Sequence, residues 1–193
     1  MLGPSANLAH FRDHQALVTR SLEVLGDPIA TASEALVDAL SKGRKVIAFG
    51  NGGSAALASH MAGELLGRYS VNRPALPAIA LCCDPSVVTC IANDFGYGEL
   101  FSRQVTAIAN QGDVVVALTT SGQSENVVQG LKSAQERAAF TIALTGAKGL
   151  TDAAADIVVR VPSTVTALIQ EVHLIVMHIW CFHVDQKLGS RID

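Results

Sequence analysis

Five short runs rich in valine, isoleucine and alanine limit the fold of this chain more than any other feature: residues 46–49, 78–82, 113–118, 141–144 and 156–161. None alternates apolar with polar positions, so each reads as a strand covered on both faces. Between them lie stretches with helical spacing, among them 54–68, 100–110 and 124–138. Strands in alternation with helices build a parallel sheet, because a parallel neighbour is reached only by a crossover long enough to hold a helix. The expected fold class is α/β, a three-layer αβα sandwich around a five-stranded parallel sheet.

Two further helical stretches, at about 10–25 and 28–42, precede the first run, and a long one at about 166–187 follows the last. Gly26-Asp27 reads as an N-cap ahead of Pro28 at the first helical position. With 193 residues, the chain suits one domain, 1–193, with its α/β core at about 45–162. The last helix is apolar on several sides (Leu168, Ile169, Val172, Leu174, Ile175, Val176, Ile179, Trp180, Phe182). A helix that is apolar all round needs something to cover it, and a homo-oligomer is the expected answer.

Charge and hydropathy exclude several partners. The formal charge is −3, and the 14 lysines and arginines are scattered, so no basic field exists to hold nucleic acid. The longest apolar stretch, 174–184, spans 11 residues and is interrupted by His178 and His183; a spanning helix needs ~20, so no membrane partner is expected. Pro4, Asn7 and His10 interrupt the first 11 residues, where a secretory segment requires an unbroken apolar core. The expected location is the cytoplasm. The four cysteines, Cys82, Cys83, Cys90 and Cys181, show no Cys-x-x-Cys spacing. Two of them are adjacent, a poor geometry for bridging, so all four are expected to be reduced.

Two strand ends carry ligand-binding character. The first strand runs into Gly50-Asn51-Gly52-Gly53-Ser54 and then a helix, where small residues let backbone amides approach an anion or a polyol oxygen. The string Gly50-x-Gly52-x-x-Ala55 also fits a dinucleotide fingerprint, but the next acidic strand-end candidate, Asp84, follows after about 30 residues instead of ~20, which argues against a nicotinamide cofactor. A tight turn without a ligand is the plainer alternative. The third strand ends in Thr119-Thr120-Ser121-Gly122-Gln123-Ser124, a hydroxyl-rich loop without a cation that can cradle a phosphate at a helix start. Ser124 could merely cap that helix, although a cap does not require the other hydroxyls. No Gly-Lys-Ser/Thr string follows, so a P-loop is excluded and the phosphate belongs to a small metabolite. Both loops fall on the carboxyl edge of a parallel sheet, where ligands bind.

His60 and Glu64 stand four apart, one turn apart on one helix face. The pair can hold a divalent metal, supply an acid and a base, or simply make a surface contact. The segment Gln170-Glu171-Val172-His173, with His178 beyond it, brings further candidates to the same crevice. His173 points about 140° away from His178 at ~100° per residue and reads as structural. His10, His14 and His183 have no supporting context.

Taken in order, Gly50-Asn-Gly-Gly-Ser54, His60-x-x-x-Glu64-Leu-x-Gly-Arg68, Arg73-Pro74, Asn93-Asp-Phe-Gly96, Thr120-Ser-Gly-x-Ser124 and Ile169-Gln-Glu-x-His173 with His178 resemble the phosphoheptose isomerases of the sugar isomerase (SIS) domain superfamily. The likeness covers about residues 10–185. It implies a flavodoxin-like SIS fold, a homotetramer, zinc, and conversion of sedoheptulose 7-phosphate to glycero-manno-heptose 7-phosphate for ADP-heptose, a precursor of lipopolysaccharide core or capsule. Carried over by the motifs, the zinc positions fall on His60, Glu64, Gln170 and His178. Substrate contacts fall on Asn51, Gly52, Gly53, Ser54, Glu64, Asn93, Asp94, Thr119, Thr120, Ser121, Ser124 and Gln170. For an aldose–ketose exchange through an enediol, Glu64 is the expected base and His178 the expected acid.

Two positions depart from the family. Many relatives carry an acidic residue at Leu57 and an arginine at Leu168, so polarity is lost beside the site, which bears on the sugar hydroxyl pattern accepted. An isomerase of a different sugar phosphate is therefore one alternative. The other is a non-catalytic SIS-domain protein that binds a replication initiator; such relatives lack the equivalents of Glu64 and the final histidine, and this chain keeps both.

Overall fold

A computed structural model describes residues 8–189; Pro4 and Asn7 lie outside the described residues. Two helices lead, α1 (Ala9–Val24) and α2 (Gly26–Ser41), followed by β1 (Val46–Gly50), α3 (Gly53–Leu66), β2 (Ala78–Ala80), α4 (Pro85–Phe95) and α5 (Leu100–Ile108). The chain continues through β3 (Val114–Thr119), α6 (Glu125–Glu136), β4 (Phe140–Gly146), β5 (Ile157–Val161) and α7 (Thr166–Leu188), with 3₁₀ turns at Tyr97–Glu99 and Asp152–Ala154.

The five strands form one parallel sheet in the order β2-β1-β3-β4-β5. This is the flavodoxin-like order, and it reverses at β1/β3, where the two neighbours of β1 lead away in opposite directions. Successive residues of β1 serve opposite faces. Val46 and Ala48 join Leu17, Leu36, Met61 and Trp180 in the core on one side. Ile47 and Phe49 join Phe101, Val105, Val127 and Leu131 on the other. Helices α1, α2, α3 and α7 thus cover one face and α4, α5 and α6 the other, which is why the central strands read as continuous apolar runs. Phe49 stacks on Phe101 with ring centroids 4.7 Å apart, and Gly130 is small because a Cβ there would meet the Phe49 ring at 2.7 Å.

Three details differ from the sequence reading. β2 stops at Ala80 and is an edge strand with Ile79 37% exposed, so a continuous apolar run overstated its cover. Asp84, read above as too far along the chain for a ribose ligand, has a role the sequence reading did not assign: it caps α4, its carboxylate accepting from the Ser86 and Val87 amides at 2.8 and 3.2 Å. Pro85 follows at the first helical position, as its fixed φ favours. The boundary between α1 and α2 is the single residue Leu25, so Asp27 lies in the first turn of α2 and is not its cap. Leu25 is 3% exposed, and burying it at the joint turns the chain without a loop.

Helix α7 has the length and apolar content to cross a membrane, but half of its most apolar stretch is buried inside the fold. It is a core helix, and the leading helices are tied to it by polar contacts. The Trp180 indole N–H donates to the Ile29 carbonyl at 3.1 Å, and His183 meets Glu34 at 2.9 Å. His10 and His14 each take one oxygen of Glu171, at 2.5 and 2.6 Å. Burial alone would raise the Glu171 carboxyl, yet these two imidazoles hold it below the usual range.

Candidate active site

The loop after β1 is built where backbone must pass close to backbone. A Cβ on Gly50 would lie 2.7 Å from the Leu118 carbonyl oxygen and 2.7 Å from the Ser54 Cβ, and Gly52 has φ +55, a left-handed conformation that suits glycine. Gly53 opens α3, and the Gln170 side-chain amide packs on it, 2.6 Å from where a Cβ would stand. Asn51 is held from the side. Its amide exchanges two hydrogen bonds of 2.9 Å with Asn126, and its oxygen also accepts from the Tyr97 hydroxyl at 2.9 Å. Neither Asn126 nor Tyr97 is marked by sequence, since they reach the loop only through the sheet order.

The loop after β3 closes the other wall. Gly122 has φ +68, and its amide donates to Thr119 Oγ1 at 3.1 Å; the Gln123 amide donates to Ser121 Oγ at 3.2 Å. The hydroxyl of Ser124 makes no cap bond to α6 and accepts from the Thr119 hydroxyl at 3.4 Å. Asn51, Gly52, Gly53, Ser54, Thr119, Thr120, Ser124 and Gln170, with Leu118 and Thr166, line one crevice of about 310 Å³. A second polar hollow of about 280 Å³ adjoins it, lined by Thr120, Ser121, Gln123, Lys148, Ser163, Thr164 and Thr166. The hydroxyl loop therefore has a cation beside it after all. Lys148 lies two residues beyond β4, on the same carboxyl edge, and inspection of that strand end for charge would have found it.

Along α3 from this crevice stands a second cluster. His60 Nε2 is 3.0 Å from His178 Nε2 and 3.3 Å from Glu64 Oε1. Ligand atoms of His60, Glu64 and His178 all lie within 4.8 Å of one another. The Tyr69 ring backs His178 with centroids 5.3 Å apart. Two nitrogens bound tetrahedrally at ~2.0–2.1 Å to zinc stand ~3.3 Å apart, so two imidazoles and a carboxylate at these separations fit that ion with little movement.

Gln170, placed with these three by family likeness, is not beside them in this chain. It sits on Gly53, seven residues before His60, while His178 touches His60. Helices α3 and α7 run side by side in the same direction, and α7 is unbroken from Thr166 to Leu188. Eight residues of regular helix put Gln170 and His178 about 12 Å apart along the axis, so an irregular turn does not bring them together. Asn93 and Asp94 lie exposed on α4, bonded to each other at 2.7 Å, and do not line the crevice. His173 is fully buried, facing the Thr145 carbonyl at 3.3 Å; burial pushes it down to about 4, against the raising effect of that bond. Leu57 and Leu168 both fold into the apolar core that contains α7.

Comparison with known proteins identifies the family and the fold. Residues 9–146 match the model of the SIS domain family. The phosphoheptose isomerase of Shewanella frigidimarina (strain NCIMB 400) is 47% identical over 170 residues, 86% of either chain. Among solved structures, a phosphoheptose isomerase from Francisella tularensis superposes with a TM-score of 0.92 at 36% identity, covering 97% of this chain and 100% of that one. The phosphoheptose isomerase of Neisseria gonorrhoeae gives 0.87 at 38%, covering 94% and 98%. By sequence over most of its length and by fold over nearly all of it, the chain belongs to the SIS domain family and, within it, to the phosphoheptose isomerases.

Proposed function

We propose that the protein is an aldose–ketose isomerase that converts sedoheptulose 7-phosphate to D-glycero-D-manno-heptose 7-phosphate. The observation that carries this reading is the meeting of Glu64, His60 and His178 within 4.8 Å, where α3, the helix that opens from the ligand crevice, runs beside α7. The relatives named above bear the same activity in their names.

In this reading the amides and hydroxyls of residues 119–124, with the N-terminus of α6, hold the phosphate, and Lys148 adds a positive charge beside them. Asn51, Gly52, Gly53, Ser54 and Gln170 meet the sugar oxygens from the β1 side; Asn93 and Asp94 belong to this set by family likeness. His60, Glu64 and His178 would hold zinc, with Gln170 as a fourth ligand; when bound, the ion polarises the substrate carbonyl and its neighbouring hydroxyl. Glu64 removes a proton from C1 of the open-chain ketose while His178 gives one to the C2 oxygen from a ring nitrogen that the ion does not engage. The enediol returns as the aldose when C2 gains a proton and the C1 hydroxyl loses one. A carboxylate has two oxygens, so Glu64 can face the metal with one and the substrate with the other.

The distance between Gln170 and His178 calls for a second copy of the chain at each site, within a homotetramer. An apolar hollow of about 200 Å³ between α1, α2 and α7, lined by Val18, Leu22, Ile29, Val172, Ile175 and Ile179, and the exposed Phe11 of α1 and Phe182 of α7 supply apolar surface for such contact. Four free thiols, two of them exposed, suit the reducing cytoplasm, where the product would feed ADP-heptose for lipopolysaccharide core or capsule. The test incubates the protein with sedoheptulose 7-phosphate, with and without zinc, and follows the aldose. Turnover is expected, and Glu64→Gln should lower kcat by ~10² to 10⁴. A parent protein that binds the sugar phosphate yet forms no aldose in either condition would overturn the reading.

A further inference from the structure

Arg73 and Asp185 form an ion pair of 2.7 Å with both side chains fully shielded from solvent. Stability alone is a weak reason for such a pair. Taking two charges out of water costs about as much as their attraction returns, and apolar replacements of similar volume are often neutral or stabilising.

The remaining bonds of the pair show where it acts. The Arg73 guanidinium donates to the backbone carbonyls of Glu64 at 2.8 Å, Leu65 at 2.9 Å and Pro74 at 3.1 Å. Glu64 and Leu65 belong to the last turn of α3, whose carbonyls have no partner within the helix, and that turn holds no basic residue of its own. Asp185 receives the Ser70 and Val71 amides on its second oxygen, at 2.7 and 3.1 Å. One guanidinium thus closes the end of α3, and one carboxylate gathers the segment after it onto α7.

We infer that the Arg73–Asp185 pair is a positioning device that fixes the Glu64 end of α3 against the His178 strip of α7. Asp185 stands seven residues after His178, about 20° short of two full turns, so both lie on one strip of α7 roughly 10.5 Å apart. Cys181 lies between them on that strip, its thiol pushed up to about 12 by burial and then by the charges of Glu64 and Asp185. Glu64 is the third residue from the end of its helix, where helices fray. A carboxylate that must meet two imidazoles to within a few tenths of an ångström needs that end held. The pair does so at the Glu64 backbone, without touching the reacting groups.

This inference rests on the proposed isomerase reading for its kinetic arm and on the His60, Glu64 and His178 geometry for its metal arm. The test uses the full chain with two variants: Arg73→Lys, which keeps a cation beside Asp185 but cannot span the three carbonyls, and the double variant Arg73→Met with Asp185→Leu. Each is titrated with cobalt(II) alone, followed by its visible absorption, and then assayed with sedoheptulose 7-phosphate. Cobalt affinity and kcat should each fall ~10- to 100-fold, with KM unchanged because the phosphate loop is untouched. The double variant, whose carbonyls and amides lose their partners, should melt below the parent, but assayed well below its melting temperature it should keep KM while losing cobalt affinity and kcat, a split that a purely structural role would not give. Folded variants with parental cobalt affinity and parental kcat would overturn the inference. Failure of both to fold would overturn it too, since the pair would then hold the fold and not the site. A parent that does not isomerise the heptose, while cobalt binding weakens as expected, would sink the reaction and leave the pair in its role.

Discussion

His173 sits in the same segment as Gln170 and His178, yet its ring is fully buried and faces a backbone carbonyl. Burial holds it near 4, whereas an unfolded histidine titrates near ~6.5. Between these values the unfolded chain binds the extra proton and the folded chain does not, so stability is complete above about pH 6.5 and is lost as the pH falls toward 4. From pH 7 to pH 4.5 this residue should cost about 2 to 3 kcal/mol, read as a shift in urea midpoint. His173→Leu should remove that component, and equal losses in parent and variant would show that the ring is not held neutral. The same sequence segment shows what was legible at this scale. The spacing of His60 and Glu64 put them on one helix face, and the separation of His173 from His178 assigned them different surroundings. Tyr97 and Asn126 were not legible, because each reaches the β1 loop from an element whose place depends on strand order; Lys148, just beyond the fourth apolar run, was legible as a charge at a strand end. The tie of Glu171 to His10 and His14 was hidden for the same reason, its partners lying 161 and 157 positions away in sequence.

At the scale of elements, the strands announced themselves because helices cover both faces of the sheet, and edge strand β2 fell furthest short of its apolar run. Helix α4 carries one of the clearest start signals in the chain, Asp84-Pro85, which the sequence reading considered only for its distance from the first glycine loop and not as a cap. The two glycine-bearing loops are where an element's conformation most directly shapes the site. Gly122 combines φ +68 with backbone on the side where a Cβ would go, 2.4 Å from the Leu150 amide and 2.5 Å from Gly149. Backbone cannot swing aside as a long side chain does. Gly122→Ala should therefore displace the hydroxyl loop and raise KM for the sugar phosphate by ~10-fold or more, from the ~1–2 kcal/mol of left-handed strain plus the clash. Gly43 supplies the control, since it shares the conformation at φ +70 but has nothing within 4 Å of its Cβ position. Gly43→Ala should lower the melting temperature by a few degrees and leave KM alone. An unchanged KM in Gly122→Ala would place the phosphate elsewhere.

For the whole molecule, the open question is how one chain's residues become one site. The sheet order brings the loops after β1 and β3 together in a single copy, and α3 with α7 brings His60, Glu64 and His178 together. Gln170 is left at the crevice, resting on Gly53. An unbroken α7 cannot fold it back about 12 Å to His178. If four ligands serve one ion, the fourth belongs to another copy, and the exposed apolar side chains Phe11, Leu22, Ile179 and Phe182 give that copy a surface to cover. Gln170→Ala and His178→Ala chains, each inactive alone, should then complement each other after joint unfolding and reassembly. In a mixed pair, the Gln170→Ala chain supplies an intact triad and the His178→Ala chain supplies the glutamine, so one of its two sites is complete. Random mixing makes half of the pairs mixed, and roughly a quarter of all sites should recover, as expected for a symmetric interface. Background activity in hybrids confirmed by native mass spectrometry would mean that each chain builds its site alone. Gln170 would then serve the sugar in the crevice, and the ion would rest on three protein ligands with its fourth position open.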